Sequence, residues 1–292
     1  MAVSRRRMLR AMSTPFDALT DFALRHPRLV VLTGAGVSTE SGIPDYRDAN
    51  GDWKRSPPVD FRAFMGSEAV RRRYWARSLV GWRVMGRAHP GAAHRALAQL
   101  EQAGRAVLVL TQNVDGLHHA AGSRCVLDLH GRIDTVRCMD CGASLPRAVL
   151  QDELLALNPD WAALEAGAAP DGDADLEGRD FGAFRVPACA ACGGLLKPDV
   201  VFFGESVPRE RVAAGMAAVR ESDALLIAGS SLMVYSGFRF VQAAVAAGRP
   251  VAAVNLGRTR ADELLALKVE APCGQALEAL ARAVLPAAAA SA

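Results

Sequence analysis

The sequence predicts an α/β fold in which a doubly wound parallel sheet carries a smaller inserted domain. Three observations support this prediction. Short apolar runs such as RLVVLT, AVLVLT and ALLIAGS alternate along the chain with helical segments. Polar or glycine-rich clusters follow these runs, at the strand ends where such sheets bind ligands. From 132 to 195 this alternation gives way to cysteines, glycines, prolines and an acidic stretch, which indicates a separate inserted unit.

Composition is typical of a globular protein. The chain has 292 residues, of which 51% are hydrophobic and 22% charged, enough for one large or two modest domains. The net charge of +3 is too small to indicate nucleic acid, and no apolar run reaches the ~18 residues that a membrane span needs. We therefore expect neither a nucleic-acid partner nor a membrane partner.

The predicted elements follow the chain in a simple order. They are a helix over 15–26, a strand over 28–32, a helix capped by Ser67 within a helical insertion over about 52–92, a helix over 92–102, strands over 106–111 and 126–130, and then strands DVVFF, ALLIAGS and PVAAVNLG alternating with helices over 208–220, 238–247 and from Gly274. We predict a discontinuous nucleotide-binding domain (15–131 and 196–286) and a small domain (132–195). The arginine-rich residues 1–14 are interpreted as a disordered tail, with an organelle-targeting segment as the alternative.

The first strand runs into GAGVSTESGIPDYR, which spans Gly34–Arg47. Gly34 and Gly36 predict a tight turn whose amides can approach a phosphate, although Thr39 replaces the third glycine of the dinucleotide fingerprint. Pro44 then stiffens the backbone and would direct Asp45 and Arg47. An ion pair that pins the loop is the alternative interpretation of this acid and arginine.

Further polar side chains follow the other strands. Gln112, Asn113 and Asp115 can hydrogen-bond ribose hydroxyls or orient a water, although Asn113 and Asp115 are also common helix caps. His130 ends a strand, and with an ordinary pKa of ~6.5 it is a candidate general base. With the clusters at 229–231 and 255–257, five strand ends are expected to converge on one nucleotide-binding crevice.

Four of the six cysteines form two C-x-x-C pairs, Cys138/Cys141 and Cys189/Cys192. Four thiolates bind zinc tetrahedrally and leave no open position, so we predict a structural Zn²⁺. The arginines of RRRYWARS are interpreted as a solvated helix face, with anion recognition as the alternative.

Together, these motifs resemble the sirtuins, the NAD-dependent protein-lysine deacylases, from about Leu29 to Leu277. GAGVSTESGIPDYR, TQNVDGLH, the histidine of LHG, the two cysteine pairs, LKPDVVFFGE, GSSLMVYS and NLG occur in the order of that family. RYWARSLVGW, APDGDADL and YSGFRF are most similar to class II, which includes the mitochondrial type called sirtuin four and its bacterial relatives.

The resemblance implies a Rossmann-like domain with NAD⁺ as co-substrate and one structural Zn²⁺ per subunit. His130 would be the catalytic base, helped by Asn113 and Asp115, while Ile43 and Asp45 would hold the nicotinamide amide. The implied NAD-binding residues are Gly34, Ala35, Gly36, Ser38, Thr39, Ile43, Asp45, Tyr46, Arg47, Gln112, Asn113, Val114, Asp115, Gly229, Ser230, Ser231, Asn255, Leu256, Gly257 and Cys273. The implied peptide-binding residues are Val200, Val201, Phe202, Phe203, Gly204 and Glu205.

The implied reaction removes an acyl group from a protein lysine and yields nicotinamide, 2′-O-acyl-ADP-ribose and free lysine. ADP-ribosyl transfer, or removal of lipoyl-like or long acyl groups, is the alternative on the same site. The Y-x-x-R spacing of Tyr74 and Arg77 leaves an acidic acyl group open. A zinc-ribbon nucleic-acid-binding module and an NAD-dependent dehydrogenase are more distant alternatives. The expected location is the cytoplasm, or the mitochondrial matrix for a eukaryotic source.

Overall fold

A computed structural model describes residues 14–54, 58–164, 168–169, 173–176 and 178–285. The predicted tail therefore lies outside the described residues, except for Thr14. No helix within the described ranges is long and apolar enough to cross a membrane.

The structure contains ten α-helices and eleven β-strands within the described residues. The helices are α1 (Pro15–Arg25), α2 (Phe61–Gly66), α3 (Glu68–Met85), α4 (Ala92–Gln102), α5 (Leu117–Ala120), α6 (Arg147–Leu157), α7 (Pro159–Ala162), α8 (Arg209–Glu221), α9 (Tyr235–Ala246) and α10 (Cys273–Val284). The strands are β1 (Leu29–Thr33), β2 (Ala106–Thr111), β3 (Val126–Asp128), β4 (Gly131–Cys138), β5 (Ser144–Pro146), β6 (Ala168–Ala169), β7 (Asp173–Ala174), β8 (Leu196–Val200), β9 (Ala224–Ala228), β10 (Val251–Val254) and β11 (Leu267–Val269).

The main sheet has six parallel strands in the order β11-β10-β9-β1-β2-β3. The predicted doubly wound α/β fold is thus confirmed. Strands β2 and β3 lie on one side of β1, and strands β9, β10 and β11 lie on its other side. The strand order therefore reverses between β1 and β9, and ligands of open α/β sheets bind beside such a reversal.

Both faces of this sheet are covered because its strands are apolar on both sides. Leu29 and Val31 of β1 pack into a core with α1, α4 and α10, while Val30 and Leu32 pack into a core with α8 and α9. All five residues of β1 are buried, as expected for a central parallel strand. The sheet is thus a rigid base for the loops at its carboxyl edge.

The inserted unit has its own antiparallel sheet in the order β5-β4-β8. The prediction that DVVFF continues the parallel alternation is wrong, because β8 pairs with β4 instead of joining the main sheet. A separate core unites α2, α3 and α6 with this small sheet and includes Phe64, Trp75, Val136 and Leu154. Ser67 caps α3 as predicted, since its hydroxyl accepts a hydrogen bond from the Val70 amide at 3.4 Å.

Candidate active site and metal centre

The loops after β1 and β9 meet where the strand order reverses. The Gly36 amide donates to the Gly229 carbonyl at 2.9 Å, and the Gly34 amide donates to the Ala228 carbonyl at 3.1 Å. A Cβ atom on Gly36 would lie 2.8 Å from the Gly229 Cα, so this backbone contact requires glycine. Leu232, just beyond, has φ of 57°, a left-handed conformation that non-glycine residues seldom adopt outside functional sites.

A polar cluster lies beside this contact and joins the loops after β1 and β2. The Ser38 hydroxyl donates to Asp115 Oδ2 at 2.7 Å. Asn113 Nδ2 donates to the Ser38 Oγ at 3.0 Å and to the Gly34 carbonyl at 3.1 Å. Asp115 also accepts from the Leu117 amide at 2.9 Å. Asp115 is not the N-cap of α5, which is Gly116; its carboxylate instead joins the turn before α5 to Ser38.

Two buried histidines, His94 and His118, contact Ser38 and Thr33 beside this cluster. His94 accepts from the Gly91 amide at Nδ1, so its Nε2 carries the proton and faces Ser38 Oγ at 3.4 Å. His118 Nε2 lies 3.0 Å from the Thr33 hydroxyl. Burial lowers the pKa of both histidines. These rings are therefore neutral packing and positioning groups.

His130 lies in the link between β3 and β4 and is held at both ring nitrogens. Its Nδ1 lies 2.9 Å from the Gln112 carbonyl, which can only accept, so Nδ1 carries the proton. Its Nε2 lies 2.8 Å from the Ser236 hydroxyl. Burial lowers the pKa of His130 to about 4, and Arg211 and Arg239 act in the same direction. The ring is thus neutral near pH 7, with a lone pair on Nε2, and its pKa is not the ordinary value that the sequence suggested.

Asp45 and Arg47 lie in one loop, and each contacts a different partner. Asp45 forms an ion pair with Lys54, and both side chains are partly exposed. Arg47 donates to the Gly51 carbonyl at 2.8 Å and lies 3.9 Å over the Trp53 ring. Ile43 is buried in the core shared with α3.

The far side of the crevice is formed by the loops after β9 and β10. Gln112 Nε2 donates to Ser230 Oγ at 2.8 Å, which joins the ends of β2 and β9. Asn255 is buried, whereas Leu256 is 62% exposed and open to a ligand. Burial raises the pKa of the Cys273 thiol to about 12, so this thiol stays protonated and unreactive.

The segment from Val200 to Glu205 links β8 to α8 and borders His130. The Val201 amide donates to the His130 carbonyl at 2.8 Å. Lys197, a buried lysine, forms an ion pair with Glu205 at 3.0 Å, and Glu205 also accepts from the Phe202 amide at 2.9 Å. The segment is therefore held by an ion pair between a buried lysine and a half-buried glutamate.

The four paired cysteines form a compact metal-binding group at the other end of β4. Their sulfur atoms all lie within 4.8 Å of one another, with 3.5 Å between Cys138 and Cys192 and 3.8 Å between Cys141 and Cys189. Tetrahedral zinc with Zn–S bonds of ~2.3 Å separates its sulfurs by about 3.8 Å. The residues present therefore fit a four-thiolate zinc ion. Cys138 is eight residues from His130 along β4, so at ~3.3 Å per residue this group lies roughly 26 Å along the strand from His130.

Comparison with known proteins agrees with this arrangement. A family model described as the Sir2 family matches residues 34–236, from the first glycine of the nucleotide turn to Ser236. The chain belongs to the Sir2 family. The resemblance to sirtuins is thus confirmed, while the class II assignment stays a prediction.

Relatives within the Sir2 family cover nearly the whole chain. The chain is 65% identical over 261 residues to the NAD-dependent protein deacetylase of Bordetella bronchiseptica, covering 89% of this chain and 95% of the relative. It is 65% identical over 261 residues to NAD-dependent protein deacetylase 2 of Bradyrhizobium diazoefficiens, covering 89% of this chain and 96% of the relative. A solved structure described as Sir2-p53 peptide-NAD+ is 28% identical, with a TM-score of 0.72, and covers 94% of this chain and 97% of that one.

Two side chains at this Sir2-family site were not among the predicted residues. His94 lies among the buried residues of α4 and faces Ser38, and no motif in the sequence marked it. Ser236 touches His130 from 106 residues away in sequence, and no local pattern indicated that contact. The predicted residues near Ser38 and Gly229 lie together in the crevice, while the cysteines form the separate metal group.

Proposed function

We propose that the protein is an NAD-dependent protein-lysine deacylase of the deacetylase type. The observation that carries the proposal is the neutral His130, which has a lone pair on Nε2. This histidine lies at the carboxyl edge of a parallel sheet whose strand order reverses between β1 and β9. The relatives at 64–65% identity, which are described as NAD-dependent protein deacetylases, support the same conclusion. The expected products are nicotinamide, 2′-O-acyl-ADP-ribose and free lysine.

NAD fits the crevice for reasons of shape and hydrogen bonding. The glycine contact brings the loops after β1 and β9 together at the strand reversal, which is where open α/β sheets bind nucleotides. Asn113, Asp115 and Ser38 offer acceptors and donors for ribose hydroxyls. When bound, NAD would supply the ribose carbon that the acyl oxygen attacks and the nicotinamide that leaves. Asp45 and Ile43 are proposed to hold the nicotinamide amide.

His130 is proposed to act as the general base. Because its neutral ring carries the proton on Nδ1, Nε2 can take a proton from a ribose hydroxyl that then attacks the acyl-derived carbon. The Gln112 carbonyl at 2.9 Å would stabilise the resulting imidazolium by accepting from Nδ1. Asn113 and Asp115 are proposed to orient the ribose and water.

The acylated lysine is proposed to enter beside the segment Val200–Glu205. The Lys197–Glu205 pair fixes this segment next to His130, and an extended substrate peptide would pair with its backbone. Tyr74 packs against Phe202 with ring centroids 5.3 Å apart. Arg77 forms an ion pair with Asp173 at 2.8 Å. The positive charge of Arg77 is therefore already paired with a carboxylate of the protein. This pairing favours a neutral acyl group such as acetyl over an acidic one.

The metal group is proposed to hold one structural Zn²⁺ per subunit. Each pair has the same geometry: the Gly142 amide donates to the Cys138 carbonyl at 3.1 Å, and the Gly193 amide donates to the Cys189 carbonyl at 2.8 Å. Four thiolates close the coordination shell, so the ion would stabilise the small sheet and take no part in acyl transfer.

Two finer assignments belong to this proposal. We assign the protein to class II on the sequences RYWARSLVGW, APDGDADL and YSGFRF. We place it in the cytoplasm because the relatives described above come from bacteria.

The experiment follows both halves of the reaction. Purified protein is incubated with NAD and an acetyl-lysine peptide, and nicotinamide and deacetylated peptide are quantified together. We expect equal amounts of the two from the wild type, none from His130→Ala with zinc still bound, and normal amounts from His89→Gln, which alters an exposed histidine. Turnover by His130→Ala would refute its role as base, and nicotinamide release without deacetylation would favour ADP-ribosyl transfer or NAD hydrolysis.

A further inference from the structure

Ser236 is the side chain in direct contact with the accepting nitrogen of His130. It lies in the first turn of α9, and its Oγ is 2.8 Å from Nε2. The Gln112 carbonyl at 2.9 Å fixes the His130 proton on Nδ1, so Nε2 must accept. The Ser236 hydroxyl is therefore the donor, and its hydrogen lies on the lone pair that the proposed mechanism uses.

The next residue, Gly237, lies against the side chain of Gln112. The carbonyl of Gln112 binds Nδ1, the other nitrogen of the His130 ring. A Cβ atom on Gly237 would lie 2.3 Å from Gln112 Oε1, so the Gln112 side chain packs directly on the helix backbone. Gln112 is held in that place by hydrogen bonds from its Nε2 to Ser230 Oγ at 2.8 Å and to the Thr33 carbonyl at 3.2 Å. The first turn of α9 thus contacts His130 at Nε2 and supports the residue that binds Nδ1.

We propose that Ser236 is a positioning residue for His130: its hydroxyl orients the ring and keeps Nε2 unprotonated until a substrate hydroxyl replaces it. This proposal rests on the proposed function for the role of His130. A ring nitrogen has one lone pair and accepts one strong hydrogen bond at a time. The substrate hydroxyl must therefore take the place that Ser236 holds in the free enzyme.

The charged groups around His130 favour the same neutral state. Arg211 on α8 and Arg239 on α9 both disfavour a second positive charge on the ring, while the Gln112 carbonyl opposes them. Asp199 on β8 lies 3.8 Å from Arg211 and moderates its charge. A donor at Nε2 adds to the effect of the arginines, since hydrogen bonding to the neutral form of a base lowers its pKa.

The test compares Ser236→Ala, which removes the hydroxyl, with Ser236→Thr, which keeps it. Nitrogen-15 NMR of labelled histidine in the free protein reports the tautomer and pKa of His130. We expect the pKa to rise by about half to one pH unit in Ser236→Ala, because one neutral-state hydrogen bond is lost. We expect kcat/KM for the acetyl-lysine peptide to fall about five-fold in that variant, and both quantities to remain near wild type in Ser236→Thr.

Two outcomes would overturn the proposal. One is a Ser236→Ala protein with unchanged His130 pKa and unchanged kcat/KM; the other is an equal loss in both variants, which would indicate packing alone. The NMR measurement needs no turnover, so its result is independent of the proposed function. Failure of that function would instead show as absence of NAD-dependent deacetylation by the wild-type protein.

Discussion

Replacing Gly36 with alanine tests whether the contact between the loops after β1 and β9 builds the nucleotide site. The new Cβ would lie 2.8 Å from the Gly229 Cα and 3.0 Å from its carbonyl oxygen. Ordinary contact begins at 3.4 Å, so the two backbones must separate by about 0.6 Å (3.4 minus 2.8). Both neighbours are backbone atoms of a buried strand end, and no side chain can turn away to relieve the contact.

The expected cost follows from this displacement. Overpacking of this kind destabilises a protein by about 1–3 kcal/mol, which for a chain of this size lowers Tm by roughly 2–10 °C. A shift approaching 1 Å in a substrate-positioning loop costs up to ~10²-fold in activity. We therefore expect kcat/KM for NAD to fall at least about ten-fold in Gly36→Ala.

The assay measures kcat/KM for NAD at saturating peptide, together with Tm. Gly66→Ala is the matched control, because a Cβ at the end of α2 meets nothing within 4 Å. It should leave both quantities unchanged. If Gly36→Ala binds NAD and unfolds as the wild type does, the loop contact does not position the nucleotide and the reasoning is refuted.

Two further predictions concern the metal and the pH dependence. Cys189→Ser should release the bound zinc and lower Tm, since a structural ion contributes directly to folding; a folded, zinc-free variant of wild-type Tm would contradict the structural role. Because burial lowers the His130 pKa to about 4, kcat/KM measured at pH 5.5 should stay within about two-fold of its value at pH 7.5. An ordinary histidine would instead be about 90% protonated at pH 5.5 and lower the rate roughly ten-fold.

The sequence predicted the features that depend on local pattern. Apolar runs identified the parallel strands, and glycines and polar residues at their ends, such as Gly34 and Asn113, marked one edge of the sheet. The spacing of Cys138/Cys141 and Cys189/Cys192 predicted a group that the structure brings within zinc-binding distance. These signals are local because each depends on neighbours a few residues away.

The remaining features depend on contacts between distant segments. The pKa of His130 is lowered by burial and by the charges of Arg211 on α8 and Arg239 on α9, and its contact with Ser236 joins residues 106 positions apart. Strand β8 was assigned to the wrong sheet because its apolar residues suit either partner, and only pairing with β4 decides between them. Similarly, the pairing of Arg77 with Asp173 spans 96 positions and was not readable from the Y-x-x-R spacing.

The most direct test of the central claim is mass spectrometry of the products formed from NAD and a panel of acyl-lysine peptides: acetyl, propionyl, succinyl, glutaryl, lipoyl and long-chain. The account predicts 2′-O-acetyl-ADP-ribose from the acetyl peptide, in amounts equal to the free lysine, and none from His130→Ala. Consumption of NAD without any acyl-ADP-ribose, or no consumption with any peptide, would contradict the proposal that this crevice transfers an acyl group from lysine to NAD.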